Sequence, residues 1–82
     1  MSQNYPNPFN PSTTIRYSLP KAANVSLKVY NTLGQLVATL VDEHKEAGYQ
    51  QIQWNASVPS GIYFYRLELG EYVETKKMIV LK

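Results

Sequence analysis

The chain is 82 residues long, 44% apolar and only 17% charged, with a formal net charge of +2 and no cysteine. Such a length holds one small domain, the apolar share excludes a disordered chain, and stability at this size is on the order of 4 to 12 kcal/mol. The small positive charge, dispersed except at Lys76-Lys77, excludes a stripe that tracks nucleic-acid phosphates, and the missing thiols exclude a disulfide frame or a thiolate metal site.

The start, Met1-Ser2-Gln3-Asn4, is polar and is no export signal. No apolar run nears the roughly 20 residues of a membrane helix. Residues 1–3 read as an artificial start to an excised piece, and residues 4–82 as a single domain. From Asn4 to Thr13, three prolines and three asparagines surround Tyr5 and Phe9. Each proline fixes φ and removes a donor, so the segment is expected to run extended along an edge, with Phe9 as its anchor. A disordered linker is the alternative, although linkers rarely place lone aromatics between turn residues.

Thr14 to Leu19 alternates, with Ile15, Tyr17 and Leu19 on one face. Pro20 ends it, Lys21 to Asn24 turns the chain, and Val25, Leu27 and Val29 face inward on the next strand. The two are expected to form a half-buried antiparallel pair. Asn31 to Gly34 is a turn, and Leu36 to Val41 a strand apolar on both faces; Leu36, Ala38 and Leu40 are taken as its core side. Asp42 to Gly48, dense in charge, reads as a solvated loop. Tyr49 to Trp54 alternates again, and the single tryptophan is expected to be the largest core contributor. Asn55 to Ser60 is loop.

Gly61 to Leu69 has the composition of a central strand: β-branched and aromatic residues with period-2 alternation between glycines. Tyr63, Tyr65, Leu67 and Leu69 form its buried face. Ile62 and Phe64 against Arg66 and Glu68 give an opposite face expected to be covered only along its first half. Gly70-Glu71 makes a tight hairpin into Tyr72 to Leu81, where alternation alone does not choose between Met78 with Val80 and Ile79 with Leu81 as the core pair. The pattern of about seven short strands, with frequent turn signals and no long helix, is all-β: an immunoglobulin-like antiparallel β-sandwich lacking the disulfide. Tyr63, near the start of its strand, is a candidate for a hydroxyl that ties a corner of the sandwich, and an ordinary buried tyrosine reads the same way.

Little in the chain supports catalysis. The only histidine, His44, sits among Asp42, Glu43, Lys45 and Glu46 with nothing to desolvate it. Three consecutive side chains, Asp42 to His44, converge poorly on a metal ion, and the scattered carboxylates offer no pair for glycoside hydrolysis. No enzyme, cofactor or metal site is expected. Tyr30, Tyr49, Phe64 and Tyr72 are placed on outward faces, where an aligned row could stack sugar rings. The other reading is ordinary apolar surface or a contact with a neighbouring domain.

Four stretches, in order and spacing, resemble the C-terminal sorting domain of type IX secretion cargo from Bacteroidetes and related bacteria. They are Asn4-Tyr5-Pro6-Asn7-Pro8-Phe9-Asn10-Pro11, Val29 to Gly34 with Leu40-Val41, Pro59 to Leu67 including Gly61 and Tyr63, and Lys76-Lys77-Met78-Ile79-Val80-Leu81-Lys82. The resemblance implies a module fused behind a secreted cargo and guided by an outer-membrane translocon. A sortase-like peptidase would then remove it, leaving the cargo secreted or on the cell surface after passage through the periplasm. It also implies that Lys76 to Lys82 carry the address, and Lys82 as the end of the chain fits a signal of that kind. A terminal edge strand could pair with a receptor by strand addition, and by the same chemistry with a second copy. The asparagine-proline opening and the Gly61-Ile62-Tyr63 strand also resemble the immunoglobulin-like domain of flagellar hook-capping proteins, which leaves an assembly module as the alternative, followed by an accessory carbohydrate-binding module.

Overall fold

A computed structural model describes residues 1–9 and 11–81. Among them are six strands: β1 (Ser12–Leu19), β2 (Ala23–Tyr30), β3 (Leu36–Lys45), β4 (Gly48–Asn55), β5 (Gly61–Leu69) and β6 (Tyr72–Val80). All pairings between them are antiparallel. β1 and β4 make a two-stranded sheet, and the other four make a sheet in the order β3-β2-β5-β6. Both sheets contribute to one core: Ile15, Tyr17, Leu19 and Trp54 from the first, and Val25, Leu27, Val29, Tyr63, Tyr65, Leu67, Met78 and Val80 from the second.

The expected central strand is internal, flanked by β2 and β6. Its inner face buries Tyr63, Tyr65 and Leu67 as alternation predicts, with Tyr65 the largest fully buried side chain. Its outer face departs from expectation. The smaller sheet lies only on the inner side, so Ile62 stays 44% exposed and Phe64 half-buried, with neither half of that face covered.

The expected seventh strand is missing among the described residues. The proline-rich opening forms only two isolated bridges, Tyr5 with Thr14 and Phe9 with Val80, with cis peptides before Pro6 and Pro8. Proline nitrogens cannot donate to a ladder, so the segment bonds intermittently. Phe9 is nonetheless buried, and its ring lies 6.0 Å from that of Trp54 at 56°.

Three other expectations are corrected. β1 and β2 do not pair: they belong to different sheets, and the turn at Pro20 carries the chain across the core, so their apolar faces meet across it instead of sharing a ladder. The charged stretch after Val41 is strand as far as Lys45, because the start of β2 extends the ladder through Ser26↔Asp42, Val25↔Glu43, Asn24↔His44 and Ala23↔Lys45. β-propensity is weak there, but an edge strand with one partner and solvent elsewhere accepts charge. Finally, β3 has no single core face: of the expected Leu36, Ala38 and Leu40, only Ala38 and Leu40 pack against the core, together with Val37 and the buried Val41. The register skips at Leu40 and at Val37, so Val41 opposes Leu27, Thr39 opposes Lys28 and Ala38 opposes Val29. Each bulge inverts the alternation. Val41 is therefore buried while Leu36 is 52% exposed.

Turn chemistry follows the sequence closely. Asn31 accepts the Leu33 and Gln35 amides on its side-chain oxygen at 2.9 and 3.0 Å, a local turn that Gly34 completes at φ 80°. Gly70 turns the last hairpin at φ 60°. The Tyr63 hydroxyl donates to the Pro59 carbonyl at 2.8 Å and ties β5 to the loop before it.

Candidate functional site

The last strand divides by parity. Met78 and Val80 are wholly buried, which settles the register: their partners Tyr63 and Gly61 fix which side faces the core. Lys76 is half-buried on the same side, with its ammonium 3.9 Å from Glu74. Lys77 and Leu81 are exposed and Ile79 half-buried on the outer side. Of the expected recognition residues, then, two are core, three present side chains outward, Lys76 is half-covered, and Lys82 lies outside the described residues.

The free edge of this strand is covered at its end. Gln3 donates its side-chain amide to the Lys77 carbonyl at 2.7 Å, and the Asn7 side-chain oxygen accepts the Ile79 amide at 2.9 Å. The Phe9 amide donates to the Ile79 carbonyl at 3.1 Å, and the Leu81 amide to the Phe9 carbonyl at 2.9 Å. Residues 3–9 thus form a strap along β6 from Lys77 to Leu81. Along that stretch an incoming strand would have to compete with these bonds, none of which reaches residues 72–75.

The strap is held by buried polar chemistry. The Tyr65 hydroxyl accepts the Asn4 amide at 2.8 Å and donates to the Ser2 carbonyl at 3.1 Å. Asn4, itself buried, donates its side-chain amide to Thr13 Oγ1 at 3.0 Å and to the Pro6 carbonyl at 3.2 Å, and Thr13 donates to Pro6 at 2.8 Å. No buried side-chain nitrogen or oxygen among the described residues lacks a partner. On its other side the strap bonds to β1, through Ser2 to Arg16 at 2.8 Å and a reciprocal pair between Tyr5 and Thr14. It therefore laces the two sheets together along one flank. Burial, partly offset by the Asn4 amide, raises the Tyr65 phenol above its ordinary pKa.

Among the other singled-out residues, Phe9 anchors the strap, and the Pro11 carbonyl accepts the Ala56 amide at 2.8 Å. Pro8 is exposed between Asn7 and Phe9, and Asn10 lies outside the described residues. Gly34 and Gly61 serve a turn and a strand start. Sequence reasoning missed Asn4, Thr13 and Tyr65 as one network; the only signal was a run of asparagines beside donor-free prolines, which points to local turns and not to a partner 61 residues away.

His44 is exposed, its Nδ1 3.3 Å from Asn24 Oδ1 and its Nε2 3.8 Å from Glu46. Asp42, Glu43 and His44 are successive residues of an extended strand, so their side chains alternate between faces. The four aromatics do not form a row. Tyr30 and Phe64 are register partners on the outer face of the larger sheet, Tyr49 belongs to the smaller sheet, and Tyr72 shares the parity of Met78 at the far end of β6.

No curated protein and no solved structure matches the chain. The family model described as the secretion system C-terminal sorting domain matches residues 3–81, from the strap through the last strand. The chain belongs to the family of secretion system C-terminal sorting domains, the type IX sorting tails.

Proposed function

We propose that this domain is the address of a larger type IX secretion cargo. A cargo fused ahead of it reaches the periplasm by its own export signal, and the domain then directs it through the outer-membrane translocon. A sortase-like peptidase removes the domain, and the cargo is released or held at the cell surface. The domain performs no catalysis on this reading, and Lys76 to Lys82 carry its recognition. An immunoglobulin-like arrangement of the two sheets belongs to the same proposal, supported by the Tyr63 tie to Pro59. Pairing into dimers would use the edges of β3 or β4 or the first half of β6, since the strap occupies β6 from Lys77 to Leu81.

The observation that carries this reading is the extent of the family match, residues 3–81. It takes in the strap together with the strand it covers. The test is an export assay: a periplasm-targeted reporter is fused ahead of the 82-residue chain in a type IX-competent bacterium and in the same strain lacking its translocon. The reporter is expected at the surface or in the medium only in the first strain. Periplasmic retention of a folded, protease-resistant fusion in both would end the sorting reading.

A further inference from the structure

With the β6 edge occupied from Lys77 to Leu81, a partner that reads this end of the last strand must read its side chains. Met78 and Val80 are buried, so those within reach are Lys77, Ile79 and Leu81 on the outer face of the larger sheet. The ladders show what lies beside them. One cross-strand row runs Leu36, Tyr30, Phe64, Lys77 over all four strands, and Ile62 with Ile79 forms the next. The Asn31–Gly34 turn sets Leu33, 81% exposed, at the same end. A contiguous apolar face of this kind on a small domain marks an interaction surface.

Its charge selects the partner. Lys77 lies within the apolar row, and Lys28 and Arg66 form the next row inward. Arg66 is matched by Glu68 at 3.1 Å, whereas Lys28 and Lys77 have no carboxylate within ion-pairing distance among the described residues. The carboxylates of this face, Glu68 and Asp42, oppose Ser26 toward the far end. A second copy docked patch to patch would bring together two surfaces whose unmatched charges are both positive. A lipid surface is a poorer match, because most of the apolar side chains stand on a sheet face instead of a protruding tip and two lysines add only about 2 kcal/mol of attraction to anionic headgroups.

We propose that this end of the outer sheet face is a docking surface for a protein partner whose contact patch is apolar at its centre and carries carboxylates at its rim. Tyr30, Phe64, Ile62 and Ile79 supply the apolar contact, while Lys28 and Lys77 orient the partner. The strand nearest the end of the chain is then recognised by its face and not its edge. The inference rests on the sorting reading for the identity of the machinery, but not for the existence of the surface.

The test uses the same fusion with a photoreactive phenylalanine at Phe64, and at Tyr49 on the other sheet as control. A discrete protein adduct is expected at Phe64 and not at Tyr49, lost in Lys28→Glu/Lys77→Glu. The same double variant and Ile62→Ser, each confirmed folded by protease resistance, are expected to lower export about tenfold, the scale of one truncated anchor. Export of both variants at the unsubstituted level overturns the proposal. So does an adduct only with a second copy, or binding of the purified chain to anionic phospholipid vesicles that the double variant abolishes. If the unsubstituted fusion is not exported, the sorting reading fails alone; the surface is then judged by the adduct, and no adduct at Phe64 overturns it.

Discussion

The two flanks of the domain solve the same problem differently. Along one, the edges of β1 and β6 are bridged by the strap, with Phe9 in the core and the Tyr65 hydroxyl holding the Ser2 and Asn4 backbone. Along the other, β3 and β4 follow each other through Glu46-Ala47 yet pair in different sheets, and nothing among the described residues laces their outer edges. There the exposed edge is managed by two register skips in β3 and by charge from Asp42 to Lys45, devices that discourage pairing with another chain. The laced flank is built from buried, mutually satisfied groups and the open flank from solvated ones. Substitutions should therefore be costly on the first and mild on the second.

The largest effect is expected from Phe9→Ala, which leaves a cavity beside Trp54. A loss of about 3 to 5 kcal/mol in urea denaturation would consume much of the stability of so small a domain, and a loss below about 1 kcal/mol would mean that the strap merely lies on the surface. Asn4→Ala comes next. It removes the Asn4 side-chain donors to Thr13 and Pro6, and about 1 to 3 kcal/mol should be lost, with faster hydrogen exchange at the Ile79 and Leu81 amides because the strap frays from the edge it covers. Unchanged exchange there would separate the network from the edge it is said to protect.

Tyr65→Phe is expected to cost about 1 to 2 kcal/mol, since the buried Asn4 amide loses its acceptor. It also carries a pH signature. Burial raises the Tyr65 phenol above its ordinary value of 10.0, so the unfolded chain ionises first as pH climbs. The stability linked to Tyr65 is complete below the ordinary value and is lost as pH rises through the folded one. Tyr17, raised mainly by burial as well, acts in the same direction. Alkaline unfolding followed by circular dichroism should accordingly show a shallower fall in stability for Tyr65→Phe than for the unsubstituted chain, and parallel curves would remove Tyr65 from the linkage.

On the open flank Glu43→Ala breaks an exposed, solvent-screened ion pair with Lys45 at 2.7 Å and should leave the urea denaturation midpoint where it is in the unsubstituted chain. A lowered midpoint would show that the two flanks are not so unequal.

Much of the fold is legible in the amino-acid sequence because it is local. Period-2 alternation in Thr14 to Leu19, Val25 to Tyr30 and Gly61 to Leu69 names the inner faces, since successive side chains must point to opposite sides of a strand. Gly34 and Gly70 mark turns because their backbone needs positive φ. Phe9, a lone aromatic among turn residues, announces an anchor. The family resemblance is a property of the sequence too, and it rests on the same stretches.

What only the tertiary structure decided is every choice between partners distant in the chain. Alternation cannot tell that β1 pairs β4 and not β2, because an apolar face packs equally well across a core or beside a ladder neighbour. It misplaces Leu36 and Val41 in β3, where two skipped residues break the alternation, and it leaves β6 undecided until Tyr63 and Gly61 stand opposite Met78 and Val80. Nor could it foresee that the opening segment closes the edge of the last strand. That contact joins Asn7 to Ile79 across 72 positions, and a hydrogen bond between groups so far apart leaves no period in the sequence to read.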